Sequence, residues 1–168
     1  MIKSYNDIYP VISSSSFVEA SAFVIGNVEI EEESSIWFYS VLRGDILPIK
    51  IGKGTNIQDF VAVHTATGKS PVTIGDFVTI GHRAIIHGCT IKNQCLIGMG
   101  AIILDGAVIE EGSIIGAGAV VSENTIIPAG SLALGIPARV VKKLDESRIQ
   151  QIKISAENYI KHIPKYKK

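Results

Sequence analysis

Written in blocks of six, the middle of the chain runs Ile91-Lys-Asn-Gln-Cys-Leu, Ile97-Gly-Met-Gly-Ala-Ile, Ile103-Leu-Asp-Gly-Ala-Val, Ile109-Glu-Glu-Gly-Ser-Ile and Ile115-Gly-Ala-Gly-Ala-Val. A branched aliphatic opens every block. The fifth residue is small (Cys95, Ala101, Ala107, Ser113, Ala119), and Gly, acids or Asn fill the second to fourth places. The frame continues downstream through Val121 and Ile127, and upstream through Ile51, Ile57 and Val63 and again through Ile74, Ile80 and Ile86. A six-residue period suits neither a helix of 3.6 residues per turn nor a set of two-faced hairpins. It predicts an all-β solenoid, a parallel β-helix in which each block is a short strand plus a corner. The first and fifth side chains point inward, and Gly and polar residues turn the chain. Burying the aliphatic ladder, at ~25 cal/mol per Å² of apolar surface, is then the main stabilising term. Residues 13–141 would form about seven coils of ~18 residues.

The frame ends before the last segment, where Ile149, Ile152, Ala156, Tyr159, Ile160 and Ile163 follow a helical stripe instead. A helix is expected from Leu144 to Ile163, started by Asp145 or Ser147 and stopped at Pro164. The resulting organisation is a β-helix over 1–141 and a C-terminal helix over 142–168 that packs along the solenoid.

Composition agrees and removes several functions. Rings make up only 7% of the 168 residues, as a narrow interior requires. Sixteen basic and sixteen acidic residues cancel, so there is no global pull toward nucleic acid or an anionic membrane. No basic stripe carries stacking aromatics, and the cluster Lys161–Lys168 is read as a solvated chain end. Apolar runs such as 101–104 stop far short of the about 18 residues that cross a bilayer. Residues 1–7 resemble neither a secretory nor a transit segment, so a cytoplasmic protein is expected. Two cysteines, Cys89 and Cys95, are too few for a disulfide framework, and Cys89 is read as structural.

Candidate chemistry lies in three of the four histidines. His64 is second in the block of Val63 and His87 second in the block of Ile86. Between them stands a segment, Thr67-Gly-Lys-Ser-Pro71, with loop chemistry. With those five residues looped out, the two histidines lie one full coil apart and stack at about 4.8 Å, close enough to share a metal held at roughly 2.0 Å from each nitrogen. His82, third in the block of Ile80, falls on the preceding side and does not reach the same ion. A second subunit of a three-fold trimer would supply it, giving metal sites between subunits. Asp59 is also a third residue and should neighbour His82, fixing its tautomer, while Gln58 would bond a metal-bound water. Three neutral imidazoles with an open position suit zinc and lower the pKa of bound water to about 7, which points to hydration or hydrolysis. Iron or cobalt would accept the same ligands. His162 has no evident partner and is placed on the surface.

Arg43-Gly-Asp45, Asn56-x-Gln58-Asp59, His64, Gly81-His82 and His87-Gly-Cys89, in this order, resemble the gamma-class carbonic anhydrases of the hexapeptide-repeat superfamily over nearly the whole chain. The resemblance implies a left-handed β-helix with three hexapeptides per triangular coil. It also implies a homotrimer with His64, His82 and His87 on zinc across the subunit interface, and reversible hydration of carbon dioxide to bicarbonate by metal-bound hydroxide. Arg43 and Asp45 would form ion pairs between subunits. Gln58 and Asp59 would organise the bound water, and Tyr159 would project into the pocket, so Arg43, Asn56, Gln58, Asp59 and Tyr159 make up the expected catalytic set. Where the archetypal enzyme has two glutamates for proton transfer, this chain has Ile46 and Thr67, so turnover should be slow or depend on buffer. Two alternatives remain. One is an acyltransferase or thioesterase on coenzyme A thioesters, to which the segment Gly135-Ile-Pro-Ala-Arg-Val140 is similar. The other is a non-enzymatic metal-binding scaffold trimer.

Overall fold

Each aliphatic pair of the six-residue frame becomes a two-residue strand. In the computed structural model, which describes residues 1–167, Leu96–Ile97, Ile102–Ile103, Val108–Ile109 and Ile114–Ile115 follow one another around the coil. Each pairs in parallel with the strand three blocks on: Leu96 with Ile114, and Ile102 with Val120. The result is a three-sided parallel β-solenoid of about seven turns with one C-terminal helix, consistent with a left-handed β-helix of hexapeptide repeats. Two sides are joined into a single hydrogen-bonded sheet by the long strand Val41–Ile51, and the third side forms a sheet of its own.

The interior is the ladder the frame predicts. Ile57, Ile80, Ile86, Ile91, Ile97, Ile103 and Ile109 are fully buried, with Cys95, Ala101 and Ala107 filling the space between them. No ring enters this column, because a triangle this narrow has no room for one. The buried aromatics, Phe17 and Trp37, lie outside it and pack with Ile163 beneath the helix.

Both thiols belong to the interior, free and buried, and burial pushes each up to about 12. Since the thiolate is the reactive species, neither cysteine should react with a disulfide reagent in the folded protein, and both should react on unfolding. Rapid titration of either thiol under native conditions would contradict this packing.

The chain leaves the solenoid by reversing. Ser131–Leu134 pairs antiparallel with Arg139–Lys143, so residues 142 and 143, expected in the helical segment, complete a strand instead. The helix α1 (Glu146–Tyr166) begins after Asp145, whose side chain accepts the Arg148 backbone N–H at 2.8 Å. Ser147 serves that cap by donating to Asp145 at 2.7 Å. The expected stop at Pro164 is corrected, because α1 runs on to Tyr166. In the last turn a proline removes one backbone bond, the Lys167 N–H still closes on the Ile163 carbonyl, and the Tyr166 ring packs on Phe17 and Trp37. From the cluster of Ile114, Leu144 and Ile152, α1 runs back along the third side to Phe17 and Trp37. This sets Tyr159 over the side that carries Asp59 and His82. No helix among the described residues is long and apolar enough to cross a membrane.

Candidate metal centre

Strands Ala62–His64 and Ile85–His87 lie side by side in parallel, with His64 opposite His87. The loop over 65–71 absorbs the extra residues, so the register survives a separation of 23 positions. Nδ1 of His64 and Nε2 of His87 face each other at 3.3 Å. Behind each ring stands a carboxylate: Asp45 Oδ1 is 3.0 Å from His64 Nε2, and Asp105 Oδ1 is 2.9 Å from His87 Nδ1. A carboxylate only accepts, so each imidazole donates from its far nitrogen and presents a lone pair to the other. Two lone pairs in that relation repel unless a cation lies between them. Two imidazole nitrogens on one tetrahedral zinc are separated by about 3.3 Å, so donor type and spacing both fit a divalent metal.

Asp105 was not among the expected residues. It lies 18 positions after His87, one coil further on. The signal is masked because the block Ile86-His-Gly-Cys-Thr90 has five residues, which shifts every later block by one.

Asp45 is held from the other side by Arg43 through an ion pair within the chain. Burial works against its charged form, but hydrogen bonds from His64 and Arg43 outweigh burial and keep its carboxyl below the usual range. Ile46 and Thr67 are both exposed, with no carboxylate at either place.

His82 stands apart, on the corner after Thr79–Ile80, with its side chain 43% exposed. Its Nδ1 lies 3.1 Å from Asp59 Oδ2, and its backbone N–H donates to Gln58 Oε1 at 3.2 Å. Gln58 donates in turn to Asn56 Oδ1 at 3.2 Å, and Asn56 donates to Thr79 Oγ1 at 2.9 Å. Asn56 and Gln58 are buried, so this chain of amides fixes the corner that carries the His–Asp pair. A cavity of about 390 Å³ opens there, lined by Trp37, Gln58, Asp59, His82, Tyr159 and His162. Burial, reinforced by Asp59 and Tyr166, pushes the Tyr159 phenol above its ordinary value. His162 is exposed, as expected, but on the rim of this cavity. Among the described residues, no three His, Cys, Asp or Glu side chains of one chain converge on a common ion position. His64 and His87 meet each other, and His82 meets neither.

Comparison with known proteins identifies the family of the chain. The family described as bacterial transferase hexapeptide (six repeats) matches residues 88–123. A carbonic anhydrase of Geobacillus kaustophilus is 42% identical over 167 residues, covering 99% of this chain and 91% of that protein. Gamma carbonic anhydrase 2, mitochondrial, of Arabidopsis thaliana is 48% identical over 156 residues, which are 90% of this chain and 56% of the relative. The chain thus spans little more than half the length of the plant protein. A solved structure of a hexapeptide transferase family protein from Anaplasma phagocytophilum superposes with a TM-score of 0.94 at 42% identity, covering 99% of this chain and 98% of that one. With this similarity along almost its entire length, the chain belongs to the gamma carbonic anhydrase family of hexapeptide-repeat proteins.

Proposed function

We propose that the chain is a metal-dependent enzyme interconverting carbon dioxide and bicarbonate. In this reading His64 and His87 of one copy and His82 of another hold the metal within a homotrimer. The observation that carries it is the pair of lone pairs facing at 3.3 Å, each imposed by a carboxylate behind its ring. His82, with Asp59 behind it, is the third group of the same kind and is turned outward. When bound, such a metal acts as a Lewis acid and makes water nucleophilic at neutral pH. Zinc suits three imidazoles, and iron or cobalt would also bind.

The chain's own residues do the rest. Asp45, Asp59 and Asp105 set which nitrogen of each ring is free. Gln58 and Asn56 hold the His82 corner, and Tyr159 and Trp37 wall the cavity beside it and limit water. Arg43 keeps Asp45 charged and turned toward His64. The trimer is supported by an outward apolar row, Phe23, Val41, Ala62, Ile85, Ile102 and Val120, which pair in register along the side that carries the two histidines. Such a row beside polar corners is the surface a second copy covers. Two free thiols suit a reducing compartment, which supports a cytoplasmic location.

With Ile46 and Thr67 in place of acids, the proton released by hydration has no side-chain carrier at those positions. Metal content per chain, followed by carbon dioxide hydration with and without imidazole buffer, tests the reading. About one metal per chain, with hydration stimulated about tenfold or more by buffer, is the expected result. Metal-free protein would refute the site, and loaded protein inert in every buffer would refute the enzyme and favour a scaffold.

A second reading, hydrolysis or transfer of acyl groups from coenzyme A thioesters, is favoured by one observation. A groove of about 490 Å³ runs from Gln58, His82 and Tyr159 along Leu96, Met99 and Ile114, and it would suit an acyl chain. Hydrolysis of medium-chain acyl thioesters, lost on filling the groove with Ala117→Leu while the fold persists, would support it.

A further inference from the structure

Taking His64, His82 and His87 as the metal's ligands, we infer that Asp105 is a positioning residue that fixes the tautomer and orientation of His87, and that position 88 is glycine to admit its carboxylate. Asp105 is the third residue of its block. The third residues of neighbouring blocks, Met99, Glu111, Ala117 and Glu123, are exposed. Asp105 instead turns onto the coil before it, its side chain only 13% exposed, and accepts from His87 Nδ1 at 2.9 Å. A hexapeptide block needs no acid at its third place, since the blocks of Ile97 and Ile115 have Met99 and Ala117 there.

Gly88 is the second half of the device. The Gly106 N–H donates to the Gly88 carbonyl at 2.7 Å, which clamps the two coils together at this point. A Cβ added to Gly88 would collide with Asp105 Oδ1, and the backbone there has a φ of +50°. The glycine thus leaves the carboxylate its only approach to the ring.

Removing the carboxylate has a defined consequence. The His87 proton is then free to move to Nε2, where it can bridge to Nδ1 of His64 across the 3.3 Å gap. That hydrogen bond occupies the lone pair an ion would use, so Asp105 keeps the pair open.

The test uses the whole chain, metal-free, in wild-type form and as Asp105→Ala, Asp105→Asn and Gly88→Ala, with thermal melting to confirm the fold. Nitrogen-15 spectra of the imidazoles report the His87 tautomer, and titration with zinc alone reports affinity. Wild type should carry its proton on Nδ1. Asp105→Ala should move it to Nε2 and weaken zinc about 10- to 100-fold. Asp105→Asn keeps an accepting oxygen, so it should retain the tautomer and lose less affinity. Gly88→Ala keeps the acid but displaces it, and should follow Asp105→Ala. An unchanged tautomer with zinc affinity within about threefold of wild type in Asp105→Ala would overturn the inference. Wild type that binds no zinc, with a tautomer that still follows Asp105, would remove the metal reading and leave the positioning role standing.

Discussion

Two variants expected to hold little metal alone, His82→Ala and His64→Ala, should reach about a quarter of the metal sites when unfolded together in equal amounts and refolded. The number follows from a closed three-fold ring in which each site takes His82 from one chain and His64 with His87 from the next. A site is intact only where a chain that keeps His82 precedes one that keeps His64. In a random mixture this happens at about one interface in four. Hydration activity should return in proportion. A site built within one chain gives a different answer, because every chain in the mixture lacks a ligand and recovery stays at zero. The structure favours the first outcome: His64 and His87 face each other, and no third donor of the same chain joins them among the described residues. Each variant alone should retain less than about a tenth of the metal of wild type, since losing one of three ligands removes a primary bond rather than a supporting one. Both substitutions lie outside the aliphatic column, so circular dichroism and melting should be close to wild type. Metal counted per chain before and after mixing decides the matter.

Most of this arrangement was legible in the chain because one period governs it. A six-residue frame states which side chains face inward, and hence which outward positions share a side of the solenoid. His64 opposite His87 and Asp59 beside His82 both follow from that frame. The residues that escaped it did so for physical reasons. Asp105 was hidden by the five-residue block over 86–90, which breaks the count between His87 and its carboxylate. The strand Arg139–Lys143 runs antiparallel to its neighbour, so the parallel repeat could not announce it. At Pro164 a local rule was outweighed by tertiary packing, since Tyr166 gains contact with Phe17 and Trp37 by continuing the helix. Arg43 and Asp45 pair with each other inside one chain. The frame gives no stacking relation between Asp45 and His64, so the contact between them was not legible in the repeat.

Two alanine substitutions only two residues apart should differ greatly in cost, and the difference reaches the metal. At Gly98 an added Cβ would lie 2.5 Å from the backbone nitrogen of Ala117 and 2.6 Å from the carbonyl carbon of Gly116. Both obstacles are backbone of the next coil, so no rotamer change relieves the contact and the coils must separate. Gly98→Ala should therefore cost at least ~3 kcal/mol, the upper end of what overpacking does, because ladder hydrogen bonds are lost as well. Gly100 meets nothing within 4 Å, and its constraint is a φ of +68°. Gly100→Ala should cost only ~1–2 kcal/mol, the left-handed penalty of an ordinary residue. Gly100→Asn should cost less still, since asparagine tolerates that conformation and Asn124, also fourth in its block, already adopts it with a φ of +56°. Urea denaturation of the three variants measures the order, and equal midpoints for Gly98→Ala and Gly100→Ala would refute the stacking account. The functional consequence follows from which rung each residue supports. The Gly81 N–H donates to the Ile97 carbonyl at 2.8 Å and the Gly100 N–H to the His82 carbonyl at 2.8 Å, so the coil bearing Gly98 supports the corner that bears His82. The clash with Gly116 and Ala117 pushes the Gly98 segment back against the coil of His82 and shifts that corner relative to Asp59 and Gln58, whereas Gly100→Ala keeps both bonds. At a temperature where all three variants remain folded, metal affinity should fall in Gly98→Ala and hold in Gly100→Ala, because the segment on which the His82 corner rests is displaced only in the first.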